Sequence, residues 1–117
     1  MDSIEQRIER LEYYHKLMMG LVENEQWPFH HLIMNRQLTE EEVRELFHMC
    51  EDLTEEYKRQ KAEGFVGFTP LLQTFKQLLN PKLSSLEVMD ALQKEQLYVP
   101  LMTALRQAVI DDAYISG

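Results

Sequence analysis

The sequence is poor in cysteine, glycine, proline and positive charge, and each shortage excludes something. Cys50 is the one cysteine of 117 residues, so no disulfide can form within the chain, which suits a reducing compartment. Four glycines and four prolines are too few for a loop-rich or low-complexity chain. Twelve Lys and Arg stand against twenty Asp and Glu, a formal net charge of −8. The basic residues are scattered among the acidic ones, whereas a nucleic-acid surface gathers cations on one face to displace counterions from phosphates. Anionic membrane surfaces are disfavoured for the same reason. No apolar run approaches the ~20 residues that cross a bilayer. The opening MDSIEQRIER is polar and lacks the apolar centre of a signal peptide, so a cytoplasmic protein is expected.

What is present favours helices. Apolar residues make up 44% and charged residues 27%, the balance of a globular chain. Leu and Met dominate the apolar set and β-branched residues are few. The length predicts one domain with one core. Trp27-Pro28 breaks the chain after a first helical segment, and Pro28 suits the first turn of a second helix, PFHHLIMNR. TEEE at Thr39–Glu42 reads as a capping box opening a third helix. Val43, Leu46, Phe47, Cys50, Leu53 and Tyr57 form its apolar face, and Gly64 stops it. In the GFVGF stretch that follows, Phe65 and Phe68 are expected to anchor the loop in the core. Thr69-Pro70 predicts the cap and first turn of a fourth helix, and Asn80-Pro81 its end. Ser84 with Glu87 reads as a second capping box, for a helix reaching about Glu95. A last helix starts at Pro100.

The first segment, from about Ser3 to Glu25, differs from the others. Ile4, Ile8, Leu11, His15, Met18 and Val22 recur at alternating steps of four and three, a heptad seam rather than a broad stripe. With Ile8 at position a, Arg7 falls at g and Glu12 at e, the relation that pairs across parallel chains. The hexad RIERLE resembles a short trimerisation signature of parallel coiled coils. The Arg stem covers the core edge while its guanidinium reaches a neighbour's carboxylate. The predicted interface is therefore Ile4, Arg7, Ile8, Leu11, Glu12, His15, Met18 and Val22. A homotrimer is favoured, a dimer comes next, and another protein is a further partner to consider. Leu17, Met19 and Leu21 broaden the pattern, which predicts that the end of this segment is embedded in the rest of the fold.

Catalytic and metal chemistry find thinner support. Glu12/His15 and Glu45/His48 are two E-x-x-H pairs, the spacing that holds metals in di-iron helical bundles. They carry the alternative reading, a metal-binding helical protein or enzyme. Glu12 belongs to the rim of the seam, however, and Glu45 points away from the apolar face of its helix. His48 and Cys50 stand two apart on a helix and so face different sides, which opposes a zinc site. GFVGF lacks the lysine of a phosphate loop. The last two helices look like a helix-turn-helix, but the second opens VPLMTALRQ, with Arg106 as its only cation. No catalytic residue, cofactor or metal is expected.

Over nearly the whole chain, RIERLEYY, the WPF break, QKAEGFVGF, the run with Phe75, Leu79, Asn80, Lys82 and Leu83, and QLYVPLM resemble the YhaI-like family of small bacterial proteins of unknown function. The resemblance implies an all-helical, self-associating cytoplasmic protein and supplies no ligand or catalytic residue. The expectation is an all-α fold over residues 1–117. Residues 1–25 form a long projecting oligomerisation helix, and 26–117 a compact array of four or five shorter ones.

Overall fold

A computed structural model of the chain describes residues 1–21 and 26–116, and every element in them is helical. The helices are α1 (Ile4–Leu21), α2 (Pro28–Asn35), α3 (Glu40–Ala62), α4 (Thr69–Leu78), α5 (Ser85–Lys94) and α6 (Val99–Ser116). The all-α class is as expected. The proportions are not: α3, with 23 residues, is longer than the 18 described for α1, so the array is not built of shorter helices only. The molecule is elongated, 64 × 24 × 23 Å.

The core lies among α2 to α6, with α6 packed against α3, α4 and α5. Phe29, Leu72, Phe75, Val88, Met89, Leu92, Leu101, Met102 and Leu105 are essentially removed from water. Each such side chain contributes about 1.5–3 kcal/mol of transfer free energy. Leu46, Cys50 and Leu53 of the predicted α3 face are buried, joined by Met49, while Val43, Phe47 and Tyr57 are half-buried. No buried side-chain polar atom lacks a partner among the described residues.

Helix ends show which local signals survive folding. At α3 the predicted capping box forms: Thr39 accepts from the Glu42 amide at 3.1 Å, and the Glu42 carboxylate accepts from the Thr39 amide at 2.9 Å. At α5 the predicted box does not form. Ser84 is the N-cap residue without a side-chain bond, and the Glu87 carboxylate, which would reach back to it, lies 2.5 Å from Arg36 at the end of α2 instead. Helix α4 begins one residue early, with Phe68 as N-cap and Thr69 inside.

Three helices close with the same reverse turn. After α3, Gly64 takes φ +94°, its amide bonds Lys61 O and the Phe65 amide bonds Gln60 O. After α2 and α5 the left-handed residue is a glutamine, Gln37 (φ 54°) and Gln96 (φ 60°), with the same two bonds. The following Leu38 and Leu97 pack against the core, and this burial offsets the cost of about 1–2 kcal/mol for a side chain in that conformation. Beyond Gly64 the anchoring prediction holds in half. Phe68 packs on Tyr57 at 5.0 Å between ring centroids, but Phe65 is 51% exposed and anchors nothing.

Candidate functional site

Helix α1 carries the seam, and it has no buried residue. Ser3 and Gln6 cap it reciprocally: the Ser3 amide donates to Gln6 Oε1 at 2.9 Å and the Gln6 amide to Ser3 Oγ at 3.1 Å. Its sequence signal is local, Ser-x-x-Gln at Ser3 and Gln6. Arg10 pairs with Asp2 across the first turns. Of the predicted interface, Ile4 is 73% exposed, Ile8 48%, Leu11 66% and Met18 52%. Arg7, Glu12 and His15 are exposed as well. Val22 lies outside the described residues. The end of α1 is not embedded as predicted: Leu17, Met18 and Leu21 remain exposed and Met19 is half-buried. Helix α2 runs opposite this end, but Met18 and Leu21 stand across an open groove from Ile33 and Met34 instead of packing closely on them.

The seam faces two open grooves. Near the middle of α1, Ile8, Leu11, Glu12, His15 and Lys16 line a groove of about 460 Å³ with Gln37, just past the end of α2. Toward its end, Met18 and Leu21 line an almost wholly apolar groove of about 360 Å³ with His30, Ile33 and Met34 of α2.

Helix α2 is held to the array at its start. The Glu95 carboxylate, whose side chain is only 4% exposed, accepts from the Phe29 and His30 amides, the latter at 3.0 Å. It thereby satisfies donors that a helix N-terminus leaves open and complements the dipole. His30 Nδ1 lies 2.6 Å from the other Glu95 oxygen, and Trp27 meets the His30 ring edge-on at 5.3 Å. A glutamate 65 residues distant as the cap of α2 leaves no local signal.

A second cluster binds the start of α3 to the loop before α5. Glu42 accepts from Lys82 Nζ at 2.7 Å and from the Asn80 amide nitrogen at 2.7 Å. Lys82, then the Thr39 amide and Asn80, hold its carboxyl down at about 2. Asn80, read from the sequence as a helix terminator, also donates to this cap.

The remaining candidates are dispersed. Glu12 and His15 lie on α1, while Glu45 and His48 lie on α3, where His48 faces Asp52 at 3.6 Å. Among the described residues no three His, Cys, Asp or Glu side chains gather as metal ligands would. Glu45, His48 and Asp52 rim an apolar cleft of about 410 Å³ over Met49, Leu53 and Leu78. Cys50 is fully buried, and its thiol is pushed up to about 12 by burial and then by the Glu51 charge. It is neutral and shielded, the opposite of a nucleophile. Arg106, the cation of the helix-turn-helix reading, is engaged with Gln93 at 2.9 Å and Asp90 at 3.4 Å.

Among the described residues no helix is long and apolar enough to cross a membrane. A family model described as "Protein of unknown function (DUF1878)" matches residues 1–110, nearly the entire chain. The chain belongs to that family.

Proposed function

We propose that this member of the DUF1878 family is a non-enzymatic interaction protein that self-associates through α1 in the bacterial cytoplasm. The observation that carries the reading is a helix with apolar residues on a heptad seam and none of them buried. An isolated helix of 18 residues is marginal in water, and in a folded protein it needs a packed face. Ile4, Ile8, Leu11 and Met18 retain 48–73% of their exposure, so covering them against a partner gains part of the about 1.5–3 kcal/mol per side chain that full burial gives, less the cost of association.

Charge supports a parallel arrangement of identical chains. With Ile8 at a, Glu5 and Glu12 both occupy e, so an antiparallel pair would set carboxylates against one another. A parallel pair sets Arg7 against Glu12 of its neighbour. Ile at both d and a favours the trimer, and Leu11 at d keeps the dimer as the next choice. Residues 1–25 then act as the assembly device and 26–117 as the array it gathers. The resemblance to YhaI-like proteins fits the same reading.

Sedimentation equilibrium tests this directly. The native chain is expected to sediment as a trimer or dimer at micromolar concentration, and Ile8→Asp as a monomer, since carboxylates gathered at the seam are strongly disfavoured. A native chain that stays monomeric, or an Ile8→Asp variant that assembles like it, would sink the proposal.

A further inference from the structure

We infer that α2 is part of the same assembly surface: each copy's Met34, with Ile33 beside it, packs against α1 of a neighbouring copy. The inference rests on the self-association reading and extends it to residues outside the seam. Its first ground is continuity. The groove lined by Ile8, Leu11 and His15 ends at Gln37, immediately after α2, and the groove lined by Met18 and Leu21 has α2 as its opposite wall. The seam and the apolar flank of α2 therefore border the same pair of grooves. A helix seated along the seam from Ile8 to Met18 meets Ile33 and Met34 on the way.

The second ground is size. A stable interface engages roughly 20–30 residues a side, and the seam alone supplies far fewer. Extending the surface over α2 brings in further apolar side chains at little ordering cost. The Glu95 carboxylate already fixes the start of α2 on the array, and Ile33 already packs against the core. The third ground selects the occupant. Helix α1 of a second copy carries the heptad seam, has no buried residue on its own chain, and brings the Arg7 and Glu12 charges that pair in parallel register. Such an arrangement makes α2 a rigid coupling between the seam and the array. The arrays are then gathered in a defined orientation rather than tethered loosely.

Two measurements on the full chain test the inference. Met34 is half-buried, so Met34→Glu is compatible with folding, which circular dichroism checks. It is expected to weaken association at least about tenfold in sedimentation equilibrium, as for a residue well inside an interface. Separately, a thiol placed by Met34→Cys is titrated with a maleimide; the buried Cys50 stays silent. Labelling is expected to be slow in the assembly and about tenfold faster or more when Ile8→Asp is added. If Ile8→Asp dissociates the chain while Met34→Glu assembles normally and the thiol labels equally fast in both states, the α2 inference is overturned and the seam stands. A native chain that is monomeric overturns both.

Discussion

Helices α1 and α6 are each described over 18 residues, yet their fates are opposite. Leu101, Met102, Leu105 and Ala108 of α6 are sealed from water by α3, α4 and α5. Helix α1 carries Ile4, Ile8, Leu11, Met18 and Leu21 and seals none of them. Helix α6 is the more apolar of the two, with three charged side chains against six in α1, and it also packs on three neighbours where α1 meets chiefly α2. The period also differs in kind. The seam of α1 is a narrow heptad stripe, suited to one long partner of the same shape, whereas α6 meets several short helices from different directions.

The comparison is sharpest where the array is broken. Phe75→Ala, at the fully buried centre where α4 faces α6, is expected to cost about 3–5 kcal/mol of stability in chemical denaturation. Its monomeric fold suffers first and assembly only as a consequence. The reverse dissection is Ile8→Asp, which removes association while leaving the unfolding free energy of the monomeric array within about 0.5 kcal/mol, as for an exposed site. A large loss of monomer stability in Ile8→Asp would mean that α1 belongs to the core after all.

Smaller effects probe the joints between the two regions. Glu95→Ala uncaps α2 and is expected to cost about 1–2 kcal/mol in thermal or chemical unfolding. If α2 couples seam to array, the same change also weakens association. Acid tests the other joint. The Glu42 carboxyl is held at about 2 against an ordinary 4.5, so it stabilises the fold at neutral pH. That stabilisation is lost as pH falls from about 4.5 toward 2. In Lys82→Met the main cause of the depression is gone, so its unfolding midpoint should lie below the native one at pH 7 and converge on it near pH 2. The smallest expected effect is a gain: Gln96→Gly relieves a left-handed residue and should stabilise by roughly 0.5–1 kcal/mol. No gain would show that the Gln96 side chain contributes something its backbone does not reveal.

Much of the helical plan was legible, for identifiable reasons. Trp27-Pro28 and Asn80-Pro81 interrupt helices because proline lacks a donor, and Gly64 ends α3 because it takes the left-handed turn at no steric cost. The capping box at Thr39 is complete within four residues, so local chemistry sufficed. The box at Ser84 has the same residue pattern, but its carboxylate half is lost to Arg36 at the C-cap of α2. The helices that end at Gln37 and Gln96 carry no glycine as a stop signal, because packing of Leu38 and Leu97 on the core favours those turns. Phe65 stays exposed against expectation because an aromatic residue carries no mark of which side of a loop meets the core.

By itself the sequence determined the helical class, the breaks between helices, the α3 cap and the existence of a heptad seam. All of these depend on interactions within a few residues of one another. Only the tertiary structure decided that α1 goes uncovered by its own array, that Glu95 rather than a neighbour caps α2, and that Glu87 and Glu42 are claimed by Arg36 and Lys82. Those outcomes turn on which side chains from distant segments arrive within about 3 Å of each other, as hydrogen bonding demands. No local period or propensity encodes that arrival.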